Sequence, residues 1–355
     1  ERGLAHGIRF RNEITTILDR DLRRLPNHEL AEARARAVVA LKAIRGAAPE
    51  VAEELVGIAE GTGCEVPDIV LRSGFELLKP VSDTGCSAVA ARTKSGAIVA
   101  QNWDGLPSKH GDLALFLHFS PSGFQFALVA SIGGLGFAGM NDRGLALVNT
   151  DLILGNSHDG IPSQVVRRLV MEMPDVSSAI SRMASLQHMG GRSYLLADRT
   201  GNIATIEVSA KSGPNVLAPA DIQVHTNNAL LPVTRLEEDV AKLQGMYPSS
   251  AFRLAALQAA VVREGSRVDV DWVKRVLRDE MGTPDAVCKT ASENEPTETA
   301  FSVVMDCHRG EMHIAAGKPS VNPYRKIVLP MACPQAVLSA ESVQDQRQIF
   351  FEDAC

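Results

Sequence analysis

A cysteine that follows a glycine, Gly85-Cys86, is the pair best suited to covalent chemistry in this sequence. A thiolate attacks carbonyl carbon well but needs a base to take the thiol proton. If the Gly85–Cys86 bond were broken, the freed α-amine of Cys86, with a pKa of about 7.7–8.0 in unstructured peptides, would lie beside the sulfur and serve as that base. Glycine has no Cβ, so the thiol can approach its carbonyl closely. The pair therefore indicates self-cleavage, against the plainer alternative of a small buried residue at a strand start.

Asp104 is a candidate partner, because it follows Cys86 by eighteen residues across a predicted β-hairpin. The strands CSAVAAR and AIVAQNW flank the turn TKSG, which returns the chain to the level of Cys86. A lone aspartate at a strand end is more often a turn former. Its place across the hairpin favours a role at the same sheet edge as the cysteine.

The elements that must position these residues change character near residue 80. Residues 12–78 carry helix-period patterns, whereas the period becomes two from Cys86 onward. Hairpins are predicted in LALFLHF–QFALVAS, LGFAGM–LALVNTDL, SYLLADRTGNIATIEV and FSVVMDCHRGEMHIAAG, and further helices at 162–172 and 174–188 and in SAFRLAALQAAVV and VDWVKRVLRDEM. This order predicts a layered α+β sandwich. Residues 290–299 are predicted to form a mobile surface loop.

Composition excludes several classes of protein. The chain has 355 residues, 45% hydrophobic and 22% charged, which is ordinary for a globular protein and neither disordered nor membrane-embedded. A net charge of −6 makes nucleic acid an unfavourable partner. The N-terminus has no apolar segment like that of a signal peptide, so a cytoplasmic location is expected. The six cysteines form no CxxC pair, so neither a disulfide framework nor a zinc site is predicted.

Two other signals compete with the cysteine. The run Gly134-Leu135-Gly136-Phe137-Ala138-Gly139 fits GxGxxG and would indicate a nucleotide cofactor bound by Gly134, Gly136 and Gly139. It leads into a predicted turn and strand, whereas phosphate binding needs a helix N-terminus. His308, Glu311 and His313 have the composition of a metal site but the spacing of a hairpin turn. We therefore expect neither a cofactor nor a metal.

Motifs spread in order along the chain resemble the acyl-coenzyme A:6-aminopenicillanic acid acyltransferase (isopenicillin N acyltransferase) family of N-terminal nucleophile hydrolases. These motifs are GIAEGTG, DTGCSAVAA, IVAQNWD, GMNDRGLALVNT, VHTNN, FSVVMD and AAGKP. The resemblance implies a four-layer αββα sandwich and self-cleavage before Cys86. Residues 1–85 would be a helical leader that becomes an α subunit, and residues 86–355 the catalytic β subunit, the two forming one αββα domain.

The resemblance also implies roles for individual residues. Cys86 matches the nucleophile, and Asp104 matches the aspartate that hydrogen-bonds its amine. Asn227 matches the asparagine that donates to the tetrahedral oxyanion, although the adjacent Asn228 leaves that assignment open. Asn149 resembles a second asparagine of the pocket, against the alternative of a polar residue at a strand end.

The basic residue departs from the family pattern. The family places an arginine near the cysteine late in the chain, where this sequence offers Lys289, with Arg309 as a less favoured substitute. Lysine is a point charge without the planar fork of arginine. A solvated surface lysine remains the alternative for Lys289.

The function implied is an enzyme, activated by self-cleavage, that cleaves or transfers the acyl group of a small amide through a thioester on Cys86. The substrate would be penicillin-like, an N-acyl amine or an acyl-amino acid, with acyl-coenzyme A as a further partner. The α and β fragments would stay associated, and a homo-oligomer remains open. The alternatives are a non-catalytic binding relative and the nucleotide-cofactor enzyme described above.

Overall fold

The chain begins as a layer of helices. The structure, a computed structural model, describes residues 1–78, 84–155, 159–264 and 268–331. The helices before Cys86 are α1 (Arg2–Arg9), α2 (Arg11–Leu22), α3 (Asn27–Ala47), α4 (Pro49–Thr62) and α5 (Val66–Ser73). They pack closely: a Cβ at Gly61 of α4 would lie 2.5 Å from the Leu4 carbonyl oxygen of α1. The helical layer predicted from the period of the apolar residues is therefore confirmed.

Two antiparallel sheets follow the helical layer. Their strands are β1 (Thr84–Arg92), β2 (Ala97–Gly105), β3 (Leu113–Phe119), β4 (Gln125–Ser131), β5 (Ala138–Asn141), β6 (Ala146–Asp151), β7 (Arg192–Ala197), β8 (Ile203–Ser209), β9 (Gly213–Val216), β10 (Ile222–His225), β11 (Glu298–Asp306), β12 (Glu311–Ala316) and β13 (Arg325–Val328). The Cys86 sheet has the order β10-β1-β2-β11-β12-β13, and the second sheet has the order β3-β4-β5-β6-β7-β8-β9. The predicted hairpins are the pairs β1–β2, β3–β4, β5–β6, β7–β8 and β11–β12.

Six further helices follow or interrupt the strands. They are α6 (Ser163–Val170), α7 (Val176–Ala184), α8 (Pro232–Arg235), α9 (Val240–Met246), α10 (Ser250–Glu264) and α11 (Val270–Leu277). Helices α10 and α11 share a core with the outer face of the Cys86 sheet. Helices α6 and α7 join α2, α3, α4 and α5 in one core against the outer face of the second sheet.

Alternation of side chains along the strands explains how both faces of each sheet are buried. In β1, Ala88 and Ala90 face the second sheet, whereas Val89 and Ala91 face α10 and α11. The continuous apolar runs of the sequence follow from this double burial. The layers are helices, second sheet, Cys86 sheet and helices, which confirms the α+β, αββα fold.

In the part of the chain that the structure describes, we find no helix long and apolar enough to cross a membrane.

Candidate active site

Cys86 lies near the start of β1, buried, on the face of its sheet that meets the second sheet. Burial raises the pKa of its thiol to about 12, and the charge of Asp104 adds to the rise. A hydrogen bond with the Gln101 side chain and the charges of Arg253 and Arg192 oppose it. The thiol is therefore protonated at neutral pH, and any attack by its sulfur needs a base.

Asp104 lies on β2, directly opposite Gly85 of β1 and Thr299 of β11. Its Oδ1 accepts a hydrogen bond of 2.9 Å from Thr299 Oγ1. Its Oδ2 is buried and has no hydrogen-bond partner among the described residues. Burial raises the pKa of this carboxyl, which the charges of Arg253 and Lys289 oppose. Asp104 therefore keeps one acceptor oxygen available beside the Gly85–Cys86 peptide.

Asn227 contacts the backbone of the cysteine. Its Oδ1 accepts a hydrogen bond of 3.2 Å from Cys86 N and one of 2.9 Å from an Arg253 Nη. Its Nδ2 donates to the Asp151 carbonyl oxygen at 3.1 Å. The adjacent Asn228 instead accepts from Ser250 Oγ of α10 at 2.5 Å. Of the two asparagines, the structure therefore brings Asn227 to Cys86.

Asn149 lies on β6, in the second sheet, across from Gln101 of β2. Gln101 donates through Nε2 to the Asn149 carbonyl oxygen and accepts from Asn149 N at 3.4 Å. The Asn149 side chain donates through Nδ2 to the Phe137 carbonyl oxygen at 2.8 Å. Gln101, which the sequence analysis did not single out, therefore links the thiol of Cys86 to the second sheet.

Arg253 of α10 is a further residue that the sequence analysis missed. Its Nη1 donates to the Cys86 carbonyl oxygen and, at 3.0 Å, to Ser87 Oγ, while Nε donates to Ser249 Oγ at 3.0 Å. The signal was present in the sequence, since Arg253 shares the buried face of α10 with Leu257. A charged residue on the apolar stripe of a helix must find polar partners inside.

Lys289 is buried and forms an ion pair of 2.8 Å with Glu295. Burial lowers the pKa of its ammonium, and the charges of Asp104 and Glu295 oppose that change. The alternative of a solvated surface lysine is therefore wrong. The segment 290–297, predicted as part of a mobile surface loop, is a loop whose residues 293, 294 and 296 are exposed, while Glu295 and Thr297 are buried against Lys289 Nζ.

Arg309, the other candidate for the basic role, lies in the turn between β11 and β12. Its side chain is 64% exposed and pairs with Asp306 at 3.5 Å. The structure therefore does not bring Arg309 to Cys86.

The glycine run 134–139 and the group His308, Glu311 and His313 were the two motifs that competed with Cys86, as a nucleotide site and a metal site. Leu135 N and Gly136 N both donate to Gln164 Oε1, at 2.9 and 3.1 Å, and the glycine run continues into strand β5. These backbone donors are thus already paired, and no helix begins there to receive a phosphate. Within the described residues, no group of three or more histidine, cysteine or acidic side chains could hold a metal ion.

The family model for acyl-coenzyme A:6-aminopenicillanic acid acyl-transferase matches residues 91–321. The chain belongs to this family. A relative in it, the 40 kDa form of the acyl-coenzyme A:6-aminopenicillanic-acid-acyltransferase of Emericella nidulans, is 25% identical over 287 residues, which cover 79% of this chain and 78% of the relative.

Two solved structures are similar to this member of the acyltransferase family at low sequence identity. A conjugated bile acid hydrolase variant from Clostridium perfringens is 12% identical, with a TM-score of 0.47 over 71% of this chain and 100% of that one. A penicillin V acylase from Agrobacterium tumefaciens is 12% identical, with a TM-score of 0.46 over 65% of this chain and 82% of that one. The family match makes this chain an enzyme of acyl transfer or amide hydrolysis.

A cavity of about 170 Å³ opens beside Cys86 in this acyltransferase-family chain. The helices before Cys86 form one part of its wall, through Leu18, Leu22, Leu71 and Arg72. The other part includes Trp103, Phe137, Asn149 and Arg192. The Trp103 and Phe137 rings stack with centroids 5.1 Å apart, so the cavity has an aromatic wall next to the thiol.

Proposed function

We propose that this chain cleaves itself between Gly85 and Cys86 and then uses Cys86 as the nucleophile of an amide acylase or acyltransferase. The proposal rests on the surroundings of the Cys86 backbone nitrogen. Cys86 N donates a hydrogen bond to Asn227 Oδ1, and Cys86 lines the cavity. Asp104 Oδ2, which has no hydrogen-bond partner among the described residues, lies beside Gly85. A buried thiol with such partners around its own backbone nitrogen is arranged for chemistry at that nitrogen.

Self-cleavage would proceed in two steps. The Cys86 sulfur adds to the Gly85 carbonyl carbon, and its proton passes to the departing nitrogen as the C–N bond breaks. The Gly85 acyl group is then held on sulfur as a thioester. Water attacks the thioester, which releases the Gly85 carboxylate and restores the thiol. The products are the fragments 1–85 and 86–355, with a free α-amine on Cys86.

The new amine has acceptors already in place. Asn227 Oδ1 accepts from Cys86 N in the uncleaved chain, and Asp104 Oδ2 supplies a second acceptor without a partner of its own. The Asp104 carboxylate favours the protonated amine, whereas the Arg253 guanidinium disfavours it. The opposed charges keep the amine able to take and return the thiol proton near neutral pH.

The two asparagines are proposed as donors to the oxyanion of the substrate. Asn227 contacts Cys86 N, and Asn149 lines the cavity together with Cys86. Asn227 Nδ2 donates to the Asp151 carbonyl oxygen and Asn149 Nδ2 to that of Phe137. Each would exchange or share its acceptor as charge develops on the substrate oxygen. A preorganised donor of this kind is worth about 3–4 kcal/mol. Lys289 would act indirectly, because its positive charge opposes the rise in the pKa of the Asp104 carboxyl.

The cavity limits the class of substrate. Trp103 and Phe137 suit an aromatic or extended acyl group. Arg192 also lines the cavity, but its guanidinium is already paired with Asp151 and Glu76. We propose a small amide, which is penicillin-like, an N-acyl amine or an acyl-amino acid, with acyl-coenzyme A as an acyl donor. Attack on the acyl-enzyme by water gives hydrolysis, and attack by a second amine gives transfer.

The leader would remain bound after cleavage, because its helices share one hydrophobic core with the second sheet. An ion pair of 2.9 Å between Arg168 and Glu54 crosses the same boundary. Both fragments also line the cavity, through residues such as Leu18 and Trp103. The proposed mature enzyme is therefore a non-covalent pair of fragments that forms one domain.

Intact-mass analysis of the purified chain tests the proposal. We expect two masses that meet at Gly85/Cys86, a single mass for Cys86→Ala, and normal cleavage for Cys64→Ala, a control thiol in the leader. An uncut wild-type chain that is identical to Cys86→Ala would overturn self-cleavage. The cleaved enzyme is then given N-acyl amines, penicillins and acyl-amino acids, and release of the amine is measured. Binding of these amides without acylation of Cys86 would favour the alternative of a binding protein.

A further inference from the structure

His225 is a completely buried histidine at the end of β10, two residues before Asn227. Its Nε2 lies 2.8 Å from Glu207 Oε1 of β8, and its Nδ1 lies 2.7 Å from the Thr226 carbonyl oxygen. Nδ1 is also 2.8 Å from Thr150 Oγ1 of β6. The ring thus joins the Cys86 sheet to two strands of the second sheet at the depth of the active site.

The partners of the ring are supplied by the strands around it. The Glu207 carboxylate accepts from Nε2, and Nδ1 lies between the Thr226 carbonyl oxygen and Thr150 Oγ1. Both ring nitrogens therefore have hydrogen-bond partners inside the protein.

Both carboxylate oxygens of Glu207 accept hydrogen bonds. Its Oε1 accepts from Leu230 N at 2.6 Å in addition to His225, and its Oε2 accepts from Leu231 N at 3.1 Å and from Thr234 Oγ1. Burial raises the pKa of this carboxyl, but the His225 and Thr234 hydrogen bonds outweigh the effect and the net pKa is lowered. Glu207 is therefore a carboxylate that accepts both from the His225 ring and from the segment 230–234.

We propose that His225, hydrogen-bonded to Glu207, is a positioning residue that fixes the Asn227 amide against Cys86. The contacts fix the chain on both sides of Asn227. His225 holds residues 225–226 to the second sheet, and Glu207 holds the segment 230–234. The inference rests on the role proposed for Asn227.

The same cross-sheet link explains how Asn227 reaches its acceptor. Asn227 Nδ2 donates to the carbonyl oxygen of Asp151, the residue after Thr150 in β6. The His225 ring contacts Thr150, which precedes Asp151, and His225 itself precedes Asn227 by two residues. A change at the ring would therefore move the Asn227 Nδ2 donor relative to the Asp151 carbonyl oxygen. Misplacement of reacting groups by even about 1 Å is expected to cost around a hundredfold in rate.

The acidic groups around the ring come from two elements. Glu207 on β8 is in direct contact, and Glu238, whose pKa is raised by burial, contacts Ala229 N and acts on the ring through its charge alone. The described residues place no lysine or arginine within ion-pair distance of His225 or Glu207. The His225 ring is therefore the side chain that links the buried Glu207 carboxylate to the Cys86 sheet, and its loss leaves Glu207 Oε1 without that hydrogen bond.

The positioning role is tested by self-cleavage kinetics. We expect His225→Gln to slow cleavage at least tenfold and to lower kcat of the mature enzyme more than it raises KM, while the far-UV spectrum stays unchanged. The double variant His225→Gln/Glu207→Gln, in which the two amides can still hydrogen-bond to each other, should recover part of the rate. His188→Gln is the control, because His188 is a buried histidine that bonds Met183 O in the outer helical layer.

Two results separate the hypotheses. If His225→Gln cleaves at the rate of wild type while Asn227→Ala is slow, the positioning role of His225 is wrong and the role of Asn227 stands. If Asn227→Ala also cleaves normally, the proposed role of Asn227 fails, and the positioning role of His225 fails with it.

Discussion

Gly85 faces Asp104 across the β1–β2 ladder, and a Cβ on residue 85 would lie 3.0 Å from Asp104 Oδ2. That contact is closer than side chains normally make. The carboxylate oxygen without a partner therefore occupies space that only a glycine before Cys86 leaves open. Glycine at this position allows the acidic group to lie against the peptide bond that is proposed to break.

Gly85→Ala should slow self-cleavage by about tenfold or more, because the added methyl group displaces the Asp104 carboxylate by a few tenths of an ångström. The time course of fragment appearance on a denaturing gel measures the effect. Gly111→Ala is the matched control, since a Cβ there meets no atom within 4 Å. Equal rates for Gly85→Ala and wild type would show that the close approach has no part in cleavage.

Asp104→Asn should lower kcat/KM by roughly a hundredfold, because the carboxylate that accepts from the new amine becomes a neutral amide. The pKa of the Cys86 thiol, which burial and then Asp104 raise to about 12, should fall in this variant. Site-resolved alkylation of Cys86 between pH 8 and about 11 follows the thiolate. An unchanged alkylation profile would contradict the electrostatic link between the two side chains.

Arg253→Lys should reduce self-cleavage and turnover at least tenfold with the fold retained. A lysine ammonium cannot reach the Cys86 carbonyl oxygen, Ser87 Oγ and Asn227 Oδ1 together, as the guanidinium does. Arg263→Lys on the exposed part of the same helix serves as control. Arg253→Lys with wild-type kinetics would leave the guanidinium only a structural role.

Lys289→Met should destabilise the protein by about 3–5 kcal/mol, because it leaves the buried Glu295 carboxylate without its cation. Replacing both residues, as Lys289→Met/Glu295→Gln, should restore most of that loss. Urea unfolding of the four proteins in the cycle gives the coupling energy. The more exposed pair of Lys318 and Glu280 is the control, and Lys318→Met should cost less than about 1 kcal/mol.

Acid should weaken the attachment of the leader through His6. Its Nε2 accepts from Gly133 N at 3.1 Å, and burial lowers the pKa of its ring to about 4, which the charge of Glu54 opposes. In the unfolded chain His6 binds a proton below about pH 6.5, whereas in the folded state it does so only near pH 4. The free energy of unfolding therefore falls as pH drops from about 6.5 to 4. The slope from this group is ~1.4 kcal/mol per pH unit.

His6→Gln keeps an acceptor for Gly133 N without a titrating group. The melting temperatures of wild type and His6→Gln should therefore diverge as pH drops from about 6.5 to 4 and differ little above that range. Parallel pH profiles for the two proteins would show that His6 does not contribute to acid sensitivity.

The sequence predicted the elements whose signals are local. Alternation of apolar residues located the β1–β2 hairpin and the later hairpins, and the helical period located the leader, because each strand or helix buries a face that its own pattern reveals. Short elements such as β9 (Gly213–Val216) and α8 (Pro232–Arg235) carry too few residues to show a period, and they were not predicted.

By itself the sequence determined the αββα fold, the family, and the position of Asp104 across a hairpin from the Gly85-Cys86 pair, since these depend on patterns and on residues joined by one short turn. Only the tertiary structure decided which basic groups reach the site. Arg253 comes from a helix that is 167 residues beyond Cys86 along the chain, and Lys289 is buried because Glu295 folds back over it. Burial and partner choice between distant segments are set by packing of the whole chain, which no local pattern records.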